Sequence, residues 1–559
     1  MNNIIISLAL LLLINLNKVF PQNLILDVAK KEINRVMNGF KDQEYPPYFL
    51  AYEIMDIESY SINASFGKVT HNQKERKRTL DIDLRVGSYN FDNSHIIRGE
   101  SFSFFMFGGE INLPINNDPI TLRNAIWFET DNAYREAVKK YQKALTNSKI
   151  KVKEEDTAAD FSKELPNKFI GEKYNYNFDE NKWTKIIEKV SQIFINYDWL
   201  FEGNVSVVYK NTEKYFVNSE GSEIYQDEPY ARVFISLQTK AEDGMTLPLY
   251  KSYFAFNPKD LPTEEELIND AKQLIETLRQ LREAPIMSTY SGPAILSGEA
   301  SGVFFHEIFG HRVEGHRIKD PNNAQTFKGF IGQQVLPSFI DVIFDPGMKE
   351  IDGKQLSGYY LYDDEGIKGQ RVQVVENGIF KNFLMCRTPI EGFEHSNGHG
   401  RRQSSYNIAS RQSNLIVQAK QTISFDELKA KLREECKKQN KEFGLYFVNV
   451  QGGFTFTGRT IPNSFNVNPI LVYKVYADGR PDEMVRGVDL IGTPLTTFSN
   501  IVAAANDLGV FNGVCGAESG SVPVSAVSPS LMVSKIEVQK KQKSQAKLPI
   551  LPAPSRKNQ

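Results

Sequence analysis

Apolar positions change their spacing several times along this chain, and each change marks a different element. Leu24, Val28, Ile33, Val36 and Met37 fall at helical intervals and predict a helix. From Tyr48 to Phe91 the spacing becomes that of strands. There Leu80, Ile82, Leu84 and Val86 alternate with Asp81, Asp83 and Arg85, the pattern of a strand with one buried face. Thr121 to Leu145 predicts a long helix with Trp127, Tyr134, Ala137 and Tyr141 on its apolar stripe. Trp183 to Tyr197 predicts another, and Val205 to Leu249 further strands. Thr263 and Glu266 form a capping box at the head of a helix that runs to Glu283 and is stopped by Pro285.

Beyond Met287, glycines and short β-like runs dominate. They are interrupted by a histidine-rich helix and by a second helix, which Ser424 and Glu427 cap and which carries Cys436. The pattern predicts an α+β fold. A mixed α/β domain spans 23–285 and a β-rich domain spans 286–540, the latter carrying a kinked helix with the candidate metal ligands. Lys149 to Asp156 is a charged loop, and the basic, Pro-rich tail over 541–559 has too few apolar residues to fold. No internal repeat is visible.

The leader is informative. Ile4 to Leu16 is apolar apart from Ser7 and Asn15. That is shorter than the roughly 20 residues a bilayer span needs and suits the core of a signal peptide over 1–22. The expected location is outside the cytoplasm, in a periplasm, with no stable membrane span after removal, or membrane-anchored if the leader stays uncut. No basic residue precedes the run, and no small-x-small cleavage site follows it.

Length, charge and cysteines narrow the class. At 559 residues the chain exceeds one ordinary core. A net charge of −2 and the absence of a basic stripe argue against a nucleic-acid binder. Three cysteines, Cys386, Cys436 and Cys515, are too few for a disulfide scaffold.

The candidate chemistry lies in His306-Glu307-Ile308-Phe309-Gly310-His311, within a chain of only seven histidines. Zinc takes neutral imidazole, carboxylate or thiolate donors and keeps a position open for catalysis. In the familiar H-E-x-x-H pattern the histidines share one helical face and the glutamate acts as general base. Here the spacing is five, which on a regular helix sets the rings roughly 140° apart. The helix must therefore end or bulge between them, with Gly310 as the permissive residue, so that His306 and Glu307 ride on the helix and His311 follows a kink. For the third donor, spacing leaves Glu314, His316, His395, His399 and Cys515 open. Asp363-Asp364-Glu365 reads as a tight turn closed by Gly366 in preference to a second metal site.

At these residues the sequence resembles the TldD/PmbA family of metallopeptidases, in its TldD branch, whose signature is the H-E-x-x-x-H of His306 to His311. Further matches follow in family order. They are Tyr290 to Pro293 with Gly298-Glu299-Ala300, Asp363 to Gly366 with Glu376-Asn377-Gly378, and Asn397-Gly398 with Arg401-Arg402. Arg411 to Asn414, Gly487-Val488 with Gly492, and Asn512 to Gly516 with Ser521 to Val524 and Pro529 complete the series. The first half matches loosely, through Asn218 to Gly221. The resemblance implies zinc held by His306, His311 and Cys515, with Glu307 as base, and an enclosed site for short or unfolded peptides. It also implies a homodimer, or a heterodimer with a related TldD/PmbA-type subunit. Arg401, Arg402, Arg411 and Asn414 are candidate substrate contacts, with structural ion pairs as the alternative reading. Two departures stand out: an export-like leader where the best-known members are cytoplasmic, and His399 interrupting Asn-Gly-Arg-Arg. The rival functions are a metal-containing scaffold without turnover and a hydrolase of non-peptide amides or esters.

Overall fold

The computed structural model describes residues 23–97, 109–149, 156–320, 323, 325–455, 465–492, 494–541 and 550–551. The predicted leader over 1–22, nearly all of the charged loop, and the tail apart from residues 541, 550 and 551 lie outside the described residues.

Long strands dominate the first half. β1 (Pro47–Ser65), β2 (Lys68–Val86), β3 (Ile111–Leu113), β4 (Lys168–Ile170), β5 (Leu200–Asn218), β6 (Glu223–Lys240) and β7 (Thr246–Ala255) form one sheet. Its order is β3-β2-β1-β5-β6-β4, with β7 also on β6. Four helices supply its core: α1 (Leu24–Phe40), α2 (Pro119–Ser148), α3 (Glu180–Gln192) and α4 (Glu264–Glu283). Leu50, Tyr52 and Ile54 on β1 and Leu80 and Leu84 on β2 pack with α1 and α2. Val233, Ile235 and Leu237 on β6 pack with α3 and α4. The Thr263–Glu266 capping box of α4 forms as expected, the kind of cap that contributes about 0.5–2 kcal/mol.

Two details differ from the sequence pattern. Trp127 is 56% exposed, beside exposed Phe128 and Ile120; of the predicted stripe Ala137 is buried and Tyr134 and Tyr141 pack against the core, and the fully buried line of α2 runs through Leu122, Ile126, Thr130, Ala137 and Ala144. Asp81, on the polar side of the β2 alternation, does not face water. Asp81 accepts from Ser405 N at 2.7 Å and from Ser404 Oγ at 3.0 Å, and Arg402 reaches Glu53 at 3.1 Å. Lys214 pairs with Asp364. The second face of the sheet thus docks on the second half of the chain through these polar pairs, beside a small apolar cluster of Phe49, Ala51, Phe216 and Ile224 with Tyr362.

Among the described residues that half holds, besides two two-stranded sheets, two further large ones. In one, β9 (Ile340–Phe344) lies between β10 (Val372–Glu376) and β12 (Asn414–Ala419). β11 (Ile379–Phe380) flanks β10, while β19 (Gly520–Ser528) and then β18 (Gly509–Ala517) follow β12. In the other, β13 (Phe443–Thr455), β8 (Tyr290–Leu296), β20 (Leu531–Lys540), β16 (Val488–Gly492) and β14 (Phe465–Tyr476) pair in succession, and a β13–β14 ladder closes the ring. β15 (Glu483–Val485) flanks β14 and β17 (Ile501–Ala504) flanks β20. Helix α5 (Gly298–Ile308) belongs to the one large apolar cluster that draws residues from both sheets. Nearly every residue of α5 is buried, Glu299 and Glu307 being the half-buried exceptions. Helix α6 (Phe425–Lys438) begins at the Ser424–Glu427 capping box. Among the described residues no helix is long and apolar enough to cross a membrane.

Candidate metal centre

The last turn of α5 carries His306 and Glu307, and the helix ends at Ile308. Arg312 caps the end: its guanidinium donates to the carbonyls of Glu307 at 3.2 Å and Ile308 at 2.7 Å, groups that a helix terminus leaves unpaired. The chain then tightens into a 3₁₀ turn, Gly310–Arg312. The break predicted from the five-residue spacing is present, and it sets the rings of His306 and His311 5.1 Å apart at 75°.

Gly310 serves the turn in a different way from the one its spacing suggested. A Cβ there would lie 1.9 Å from Gln412 Oε1, so the missing side chain makes room for Gln412 against the helix end. Gln412 is buried and its Nε2 donates to the His306 carbonyl at 3.1 Å. Gly310→Ala is expected to destabilise the fold by about 1–3 kcal/mol, the usual cost of overpacking a filled interior. Urea unfolding monitored by tryptophan fluorescence checks it.

Cys515 enters from β18, paired opposite Val522 of β19. Its Sγ lies 3.4 Å from His311 Nε2. One donor atom each from His306, His311 and Cys515 falls within 4.8 Å of the others, with all three residues buried. Burial pushes the Cys515 thiol up, but the imidazoles of His311 and His306 outweigh it and hold the thiol well below its usual range. Burial pulls His311 down, but Cys515 and Glu314 carry it well above the ordinary imidazole value. Glu307, by contrast, is half-buried.

The other candidate donors have different partners. Glu314 Oε2 sits 3.1 Å from His311 Nδ1 and accepts from Arg317 Nε at 2.8 Å. Burial raises its carboxyl, and the charges of His311 and Arg317 more than offset that and bring it down to about 2. His316 pairs with Glu518. His395 is exposed beside Glu164. His399 is fully buried between Asn397 and Ser413 and, with its pKa lowered to about 3 by burial, is neutral. Asp363, Asp364 and Glu365 accept from backbone N–H groups of residues 365, 367, 387, 400 and 402. Gly366 closes their turn at φ +73°. Cys386 and Cys436 are buried free thiols.

Of the four candidate substrate contacts, Arg401, Arg411 and Asn414 are buried and Arg402 is half-buried, and all are directed at protein groups. Arg401 donates to the carbonyls of Gln412 and Pro523, and Arg402 to Glu53. Asn414 donates to the carbonyls of Asp345 and Met348, and Arg411 to Ser519 Oγ and to the carbonyls of Gly520 and Cys515. These partners fit the alternative reading of the four residues as structural contacts. Sequence reasoning missed Gln412, Arg317 and Glu518. Only Gln412 carried a signal, its place inside the Arg411–Asn414 run.

Residues 289–540 match the family model described as the PmbA/TldA metallopeptidase C-terminal domain. A metalloprotease of Methanothermobacter thermautotrophicus is 28% identical over 339 residues, 60% of this chain and 69% of that protein. One of Archaeoglobus fulgidus is 30% identical over 47% of this chain and 56% of that protein, so the match spans about half of this relative's length. A zinc metalloprotease TldD homologue of Saccharolobus solfataricus is 26% identical, covering 66% of this chain and 78% of that protein. Among solved structures, TldE from Thermococcus kodakarensis superposes with a TM-score of 0.59 at 13% identity, over 92% of this chain and all of the other. A protein described as a modulator of a DNA gyrase from Thermotoga maritima gives 0.61 at 16% identity, over 91% of this chain. At such identities the likeness speaks for the fold, which is α+β as the sequence pattern predicts. Residues 289–540 thus carry the C-terminal domain of the PmbA/TldA family, and relatives named metalloprotease match along much of the chain.

Proposed function

We propose that this chain is a zinc-dependent peptidase that hydrolyses peptide bonds of short or unfolded peptides. The reading is carried by the convergence of two imidazoles and a thiol, with donor atoms within 4.8 Å; Glu307, half-buried, follows His306 in the last turn of α5. Two nitrogens and a thiolate are donors that zinc takes, and three protein donors leave the fourth position that catalysis needs. His306 Nδ1, buried and without a hydrogen-bond partner among the described residues, suits such a centre, where an unpaired buried polar atom otherwise only costs stability.

His306, His311 and Cys515 would hold the metal. When bound, zinc supplies Lewis acidity, bringing the pKa of water to about 7 and polarising a carbonyl oxygen. Glu307 takes the proton from the attacking water and returns it to the leaving amine. Glu314 fixes the tautomer and orientation of His311 through Nδ1. The peptide joins as an added strand, its main chain giving affinity without regard to sequence. In this reading the leader over 1–22 exports the chain. The divide between an N-terminal and a peptidase domain falls near residue 285, and the chain pairs with a second copy or a related subunit of its family.

Elemental analysis of the purified protein tests the proposal, with one zinc per chain as the expected result. Peptide cleavage should then disappear on chelation and return on adding zinc. A metal-free chain overturns the proposal, and so does a metal-loaded one that leaves a peptide panel intact while cleaving non-peptide esters.

A further inference from the structure

The candidate ligands come from two stretches far apart in sequence: Cys515 and His311 are separated by 204 residues. Something must hold the β18 hairpin against the end of α5 before any ion arrives. Two consecutive residues do so. Arg411 is 0% exposed. Its Nη2 donates to the Cys515 carbonyl at 2.7 Å, and its Nη1 to Ser519 Oγ at 2.7 Å and the Gly520 carbonyl at 2.9 Å. Its Nε lies 3.7 Å from Glu314 Oε1, the carboxylate whose other oxygen meets His311 Nδ1 at 3.1 Å. Gln412, 1% exposed, donates to the His306 carbonyl at 3.1 Å. The backbone of the pair is itself anchored: Arg411 N donates to the His399 carbonyl at 2.9 Å, and the Gln412 carbonyl accepts from Arg401 at 2.8 Å.

We infer that Arg411 and Gln412 are positioning residues, a clamp that sets the distances among the three ligands. The inference rests on the metal-centre reading above. Its physical basis is the shape of the guanidinium, a rigid planar fork whose donors point in fixed directions. One such group addresses the Cys515 backbone, the turn behind it and the Glu314 carboxylate together. An ammonium on a flexible stem keeps the charge but cannot reproduce that set of directions. The amide of Gln412 holds the main chain of the remaining ligand in the pocket that Gly310 leaves open. Groups that orient metal ligands in this way typically cost 10–100-fold in metal affinity when removed.

The test uses the full chain, stripped of metal and titrated with Co²⁺ against a chromophoric chelator, for wild type, Arg411→Lys, Gln412→Ala and Arg387→Lys. Arg387 is the matched control. It is 0% exposed and held by Glu220 and the Ser162 carbonyl, so its loss lowers stability without touching the ligands. The wild type and Arg387→Lys are expected to show the same thiolate-to-cobalt charge-transfer band and the same affinity. Arg411→Lys and Gln412→Ala are expected to bind roughly 10–100-fold more weakly, with the band weakened or shifted. Wild-type affinity and an unchanged band in both variants would overturn the clamp while leaving the metal centre standing. If Arg411→Lys does not fold, Gln412→Ala alone decides. A wild type that takes up no cobalt overturns the metal-centre reading and the clamp with it.

Discussion

Replacing Glu307 by glutamine is expected to slow peptide hydrolysis by roughly 10²–10⁴-fold, the range that a positioned general base supplies, while zinc content stays at the wild-type level. The amide has the size of the carboxylate and can still donate and accept hydrogen bonds, but it cannot accept the proton of the attacking water. Glu307 is half-buried in a helix whose other last-turn residues are buried, and its charge acts on Arg312, so circular dichroism on the variant accompanies the assay. Its carbonyl is capped by Arg312 through the main chain, which the substitution does not alter. Turnover on a peptide panel, measured beside metal analysis of the same samples, separates the candidate functions. Loss of turnover with metal retained is the signature of a peptidase. Undiminished turnover, or a cellular role that survives the change, would point to a scaffold that carries its metal for structural reasons.

Local signals were readable wherever the physics is local. Thr263 with Glu266, and Ser424 with Glu427, predict helix starts because both halves of a capping box lie within four residues, and both boxes form. The five-residue spacing of His306 and His311 predicts a broken helix, since an intact one would point the rings apart, and α5 ends at Ile308. Where a partner lies far along the chain, the pattern misleads or falls silent. Asp81 and Asp83 on β2 have the alternation of a solvated face, yet Asp81 meets Ser404 and Ser405 more than 300 positions away. Polarity marks a surface that wants hydrogen bonds and does not say whether water or protein supplies them. Trp127 fits a helical stripe by spacing, but the stripe that α2 buries runs through Ile126. Arg411 and Asn414 are polar residues inside a family match, and the sequence leaves substrate contact and structural pairing both open for them. Their burial and their carbonyl partners depend on tertiary contacts that spacing does not encode. Cys515 was one of five open third donors until the resemblance singled it out, because no local rule links it to His311.

Cys515→Ser carries the other large effect. Zinc affinity is expected to fall by more than the roughly 100-fold that losing a mere orienting group costs, and peptide cleavage with it. Serine nearly preserves volume and keeps the β18–β19 hairpin, in which residue 515 pairs with Val522. What changes is the donor. The Cys515 thiol is held well below its usual range by the neighbouring imidazoles of His311 and His306, so it meets a cation as a thiolate. A serine hydroxyl stays protonated at neutral pH and offers zinc only a weak neutral oxygen. Chelator competition on wild type and variant, with circular dichroism to establish that both are folded, measures the difference. The rival donors are poorly placed to compensate. His316 is paired with Glu518, and His399 is held at both nitrogens by Asn397 and Ser413. His395 is exposed beside Glu164. Equal zinc content in the variant would require one of these to leave its partner and reach the centre, and would remove Cys515 from the ligand set.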